Sequence, residues 1–113
     1  MGWEIAVEEI ERLWAEPLAV YVYVSDKRGN TYMVHRIYGA ADMVLECWET
    51  EEDVGCEGTS VKDTTVIEFI AQIVKEIIEW HISHSGEFFA TVDINHRALR
   101  EKIEKILREV KNE

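Results

Sequence analysis

One proline, two cysteines and twelve basic residues set against twenty-three acidic ones are what this 113-residue chain has little of. Its formal net charge is −11. A deficit of Lys and Arg excludes a reader of nucleic-acid backbones, which works through clustered cations. No apolar run approaches the roughly 20 residues that span a bilayer, so no membrane role is expected. Cys47 and Cys56 are too few for a disulfide scaffold and lack the paired spacing of a zinc knuckle. Acids at Glu4, Glu8 and Glu9 replace the basic start of a signal peptide, and Ala6 stands where a myristoylation signal has Ser or Thr. The expectation is a soluble, cytoplasmic protein. A Cys47–Cys56 bridge would then point to a hyperthermophilic source, to which the Ile-, Val-, Glu- and Lys-rich second half also leans.

What is present is an ordinary globular composition, 47% hydrophobic, in a length that holds one domain. Trp3, Ala6, Val7, Ile10, Leu13 and Trp14 recur at helical spacing up to Pro17 and predict an opening helix. Leu18–Ser25 and Thr31–Tyr38 alternate apolar and polar residues around Asp26-Lys27-Arg28-Gly29-Asn30, the pattern of a β-hairpin. Met43–Thr50 reads as a third strand, and residues 51–60 as an acidic loop. From Thr64 to His84 apolar residues surround most of a helix, with Thr65 and Glu68 in capping-box spacing and Gly86 beyond its end. Glu87–Ile94 is a fourth strand. Asn95 is placed to cap a last helix striped by Leu99, Ile103, Ile106, Leu107 and Val110. The expected fold is α+β in the order α-β-β-β-α-β-α, with a mostly antiparallel four-stranded sheet. So apolar a central helix suggests a homodimer.

Three constellations carry possible chemistry. Residues 42–58 hold seven acids, Asp42, Glu46, Glu49, Glu51, Glu52, Asp53 and Glu57, and no Lys or Arg. Such a field attracts basic proteins and can imitate a phosphate backbone; as a calcium loop the segment lacks EF-hand spacing. In the second, a hairpin centred on Arg28-Gly29 sets Val22 opposite His35. A following turn closing at Tyr38 and Met43 then sets Glu46 opposite His35 and Trp48 opposite Met33. A carboxylate that orients an imidazole can serve acid–base catalysis; the same pair can be purely structural. The third is His81, His84, Asp93 and His96, ligand types suited to zinc or another divalent metal, although no HExxH or CxxC is present. On the hairpin's other face Tyr21, Tyr23, Arg36 and Tyr38, with Tyr32 near its end, suggest a surface beneath a helix or a partner contact.

The order helix, three-strand meander, helix, strand resembles the restriction-endonuclease-like core. Its signature asks for an acid in the second strand and D/E-x-K in the third. Here those strands offer His35 and Glu46-Cys47-Trp48, with Trp in place of Lys, so the resemblance stops at element order. Two classes of function follow. The leading one is a non-enzymatic interaction or regulatory protein whose segment 42–58 meets a basic partner. The alternatives are a small metal-dependent hydrolase built on the His/carboxylate groups, and a structural subunit of a complex.

Overall fold

The computed structural model of the chain describes residues 3–9 and 17–111. Its strands are Trp3–Glu9 (β1), Leu18–Ser25 (β2), Thr31–Ala40 (β3), Met43–Glu49 (β4), Val54–Ser60 (β5) and Phe88–Ile94 (β6), and its helices are Val66–Ser85 (α1) and Arg97–Lys111 (α2). They form one six-stranded sheet in the order β1-β6-β2-β3-β4-β5. β1 runs parallel to β6, and every other neighbouring pair is antiparallel. The protein is α+β, but the expected seven-element order with a four-stranded antiparallel sheet does not hold. With it goes the element order that resembled the restriction-endonuclease-like core.

Two elements account for the difference. Trp3, Ile5 and Val7 also alternate with Glu4, Ala6 and Glu8, so the segment satisfies a strand period as well as a helical one. In the structure Trp3, Ile5 and Val7 lie beside Phe88, Ala90 and Val92 and pack against the core. The rest of the expected helix, including Ile10, Leu13 and Trp14, lies outside the described residues. The second is residues 51–60. Only Glu51–Asp53 turn the chain, and β5 then pairs with β4 from Val54 to Ser60.

The hydrophobic core lies between one sheet face and the two helices. Val20, Val22 and Val24 of β2, Ile37 of β3, Val44 of β4, and Phe88, Ala90, Val92 and Ile94 of β6 meet Ile70, Val74 and Ile78 of α1 and Leu99, Ile103 and Leu107 of α2. Strand alternation puts these residues on one face. Gly39 of β3 is where α1 comes closest to the sheet: an added Cβ would sit 2.7 Å from both Val66 Cγ1 and Ile70 Cδ1. Val66, Ile70, Ala71, Ile73, Val74, Ile77 and Ile78 of α1 are buried within the chain, whereas Trp80 stays exposed.

Expected caps are rearranged. Thr65 makes no side-chain cap; its hydroxyl donates to the Lys62 carbonyl. Asn95 instead ties β2 to the β6–α2 junction: its side-chain oxygen accepts from the Ala19 amide at 2.8 Å and its NH2 donates to the Pro17 carbonyl at 2.8 Å.

Across the open sheet face one row runs Glu8, Asp93, Tyr21, Arg36, Cys47, Cys56. Cys47 and Cys56 are directly opposed, 4.0 Å apart at Cα, and joined as a disulfide that staples the edge strand to its neighbour. Closing so short a loop removes entropy from the unfolded chain. The Cys47→Ser, Cys56→Ser double variant is expected to lose about 2–3 kcal/mol in urea unfolding. An unchanged midpoint would show that strand pairing alone holds β5.

Candidate functional site

β3 and β4 meet at a two-residue turn, Ala41-Asp42, with Ala41 at φ 54°. The resulting register pairs His35 with Trp48 and Ile37 with Glu46, whereas the expected turn paired His35 with Glu46. The shift is two residues, so parity survives and His35 and Glu46 still share the helix-side face. The hairpin before it keeps the expected register, Val22 opposite His35.

That face and α1 border an open cavity of about 360 Å3, lined from the sheet by Met33, His35, Glu46 and Trp48 and from α1 by Ile73, Glu76, Ile77, Trp80 and His81. Trp48 lies across Gly55 of β5, occupying the space a Cβ there would need, and its indole N–H donates to Asp53 at 3.4 Å. Trp80 is 53% exposed at the rim and stacks on His84, with ring centroids 4.2 Å apart. The long apolar side chains of α1 make the wall, and Glu46, Glu76 and the two imidazoles bring ionisable groups to it.

The imidazoles belong to a chain of hydrogen bonds that the sequence did not disclose. His35 Nε2 and His81 Nε2 are 3.4 Å apart, and His81 Nδ1 is 3.4 Å from the Tyr32 hydroxyl. Tyr32 reaches this side because the β2–β3 pairing slips by one residue between Val24 and Ser25, leaving Tyr32 without a cross-strand partner. Such a bulge re-aims a side chain. The tyrosine expected on the open face therefore joins α1. Tyr32 donates its proton to Ser85 Oγ, which leaves its oxygen to accept from His81 Nδ1–H. His81 Nε2 then accepts from His35 Nε2–H, and His35 Nδ1 carries a lone pair. That Nδ1 is buried and, among the described residues, has no partner.

Burial, and then the neighbouring His81, push the His35 pKa down from 6.5 to about 4. His81 is also lowered, by burial first and then by His84. Both are neutral at pH 7. Glu46 moves the other way, raised by burial and by the nearby Glu57 and Glu76 carboxylates. Glu57 faces Glu46 directly across β4 and β5, and α1 brings Glu76 to the same place. Among the described residues none of these three carboxylates is in an ion pair.

The other candidates are dispersed. His81 points into the core at 1% exposure, His84 lies outside on Trp80, and His96 is exposed before α2. Asp93 sits on the opposite sheet face, beside Tyr21. Among the described residues no group of three or more His, Cys, Asp or Glu is arranged to hold a metal ion. Of the acidic segment, Asp42 is in the tight turn, Glu51, Glu52 and Asp53 are in the β4–β5 turn, and Glu57 lies on the edge strand. Glu49 is on the open face and pairs with Arg36 at 2.7 Å. Tyr21, Tyr23 and Tyr38 form a half-buried cluster on that face, with Tyr21 edge-on to Tyr38 at 6.0 Å; among the described residues no helix covers it.

The depressed histidine has a stability consequence. Above pH 6.5 His35 is neutral in both folded and unfolded chains. Between pH 6.5 and about 4 the unfolded chain takes up a proton that the folded one refuses, so stability falls as pH falls. The full effect is on the order of 3 kcal/mol. Glu46 opposes it, because its raised carboxyl takes a proton earlier in the folded state. Urea unfolding at pH 7.5 and 4.5 is expected to show a smaller acid loss for His35→Leu than for wild type. Equal losses would mean His35 is not the buried neutral base.

Comparison with family models, with curated proteins and with solved structures finds no match to this chain.

Proposed function

We propose that this is a small non-enzymatic interaction protein whose acidic β4–β5 hairpin engages a basic partner. The observation that supports it is placement. Six of the seven acids between residues 42 and 58 fall on one hairpin at the edge of the sheet, with Asp42 in the turn that leads into it, and among the described residues only Glu49 of them is in an ion pair. β5 pairs only with β4 among the described residues, so its outer edge offers unpaired backbone groups to an extended segment. Negative charge beside such an edge selects a basic one and speeds its encounter. A DNA- or RNA-binding protein, whose own surface is built for phosphates, is one form this partner takes.

A hydrolytic centre on His35 and Glu46 is the second reading, favoured by their shared cavity. No hydrogen bond joins them, however. The homodimer belongs to the same proposal as a use of the open face, where Leu45 and Phe89 are exposed beside the tyrosines. Sedimentation over a concentration series checks it, and a monomer throughout would count against it.

Charge-matched variants test the edge. Neutralising Glu51, Glu52 and Glu57 to Gln is expected to weaken a fluorescent lysine- and arginine-rich peptide about tenfold at low salt, with the difference shrinking as salt rises. Neutralising Glu87, Glu101 and Glu109, which are exposed elsewhere, should have little effect. Equal losses from both sets would reduce the binding to net charge and sink the edge as a site.

A further inference from the structure

We infer that the cavity between α1 and the β3–β4 strands receives a basic side chain, lysine or arginine, from the partner that docks on the adjoining edge. This inference rests on the basic-partner reading and adds to it a specific anchor point.

The cavity's chemistry is one-sided. Its walls are apolar or aromatic: Met33, Ile73, Ile77, Trp48 and Trp80. Its ionisable lining is Glu46 from β4 and Glu76 from α1, with Glu57 across the pair from Glu46. Among the described residues no Lys or Arg lines it. The two lining histidines supply no compensating charge at pH 7, since burial keeps both neutral. His35, only 7% exposed, lines it with a ring whose Nδ1 is closed to solvent. Carboxylates brought together from separate elements repel one another, and desolvation makes that repulsion costlier. A cation with an apolar stem removes the repulsion, lays its methylenes on the isoleucines and sets its charge near the indole faces. An anion would meet Glu46 and Glu76, and a neutral apolar group would leave them unpaired.

Location connects the cavity to the edge. Glu46 lines the cavity while its cross-strand neighbour Glu57 belongs to β5. A segment lying along β5 therefore passes within one strand of the cavity, since neighbouring strands are about 4.8 Å apart. Trp80, exposed on α1 yet apolar, stands at the opening as a surface for the incoming stem.

The probes are Nα-acetyl-lysine N-methylamide and its arginine counterpart, titrated into the whole protein by calorimetry. The norleucine and citrulline amides are their neutral controls. Saturable binding of the two cationic probes is expected, at least about tenfold tighter than the neutral pair. Glu46→Gln should weaken the lysine probe about fivefold or more, whereas Glu51→Gln, Glu52→Gln should leave it unchanged. Norleucine binding as well as lysine, no binding by any probe, or an effect of the turn variant equal to that of Glu46→Gln would each overturn the inference. Glu46→Gln is expected to fold at least as stably as wild type, because it removes a repulsive charge; its melting temperature separates lost binding from lost structure. If the basic peptide still binds the edge while the small probes do not, the anchor fails and the basic-partner reading stands. If the peptide loses its preference for the edge while the lysine probe still binds through Glu46, the reverse holds.

Discussion

The seating of α1 on the sheet governs the rest of the molecule. Near its N-terminal end the helix comes down onto bare backbone, because Gly39 has no side chain to hold off Val66 and Ile70. Four residues back along β3, His35 meets His81 instead, and two rings replace a hydrogen atom as the spacer. α1 thus meets β3 through backbone near one end and through imidazoles farther along. The space beside the two rings, bordered by Trp48 and Trp80, is the cavity. Interiors pack at nearly constant density, so an open cleft of this size beside a well-packed helix reflects the side chains chosen there.

The C-terminal half of α1 is held by hydrogen bonds as well as by packing. Tyr32, His81 and His35 link the β2–β3 turn, α1 and the middle of β3 in one line. Each member depends on the next for its tautomer, and the last nitrogen in the line is unpartnered. Buried polar chains of this kind favour a single arrangement over its competitors. The bulge that turns Tyr32 inward is thus part of the same construction as the cavity.

How much of this the sequence disclosed depended on whether a feature was local. The β2–β3 register followed from Val20, Val22 and Val24 alternating with Tyr21 and Tyr23, and it brought His35 to the core side. Glu46 reached the same face despite a mistaken turn, because a slip of two preserves parity. β1 was misread because Trp3, Ile5 and Val7 fit two periods at once, and its partner β6 lies more than eighty residues away. β5 carries Val54 and Cys56 among Gly55, Glu57 and Gly58, so no apolar alternation marked it; pairing with β4 and the disulfide make it a strand. The His35–His81 contact spans 46 residues, and nothing in local spacing could announce it. His81 and His84 did share a helix, but one turns into the core while the other packs on Trp80.

An acidic edge has a second physical use that competes with recognition. Charges beside an exposed strand discourage the same strand of another copy from pairing with it, and Glu51, Glu52 and Glu57 are placed to do so. Defence of that kind asks for charges that point into water, where they cost little. Glu46 does not meet that description. It lies on the inner face of β4, half-buried, with Glu57 and Glu76 both raising its pKa. A Gln there would protect the edge equally and spare the fold the repulsion. A charge kept where it destabilises the free protein and adds nothing to edge protection is what a site complementary to a cation requires, so Glu46, more than the exposed acids, carries the argument for a ligand.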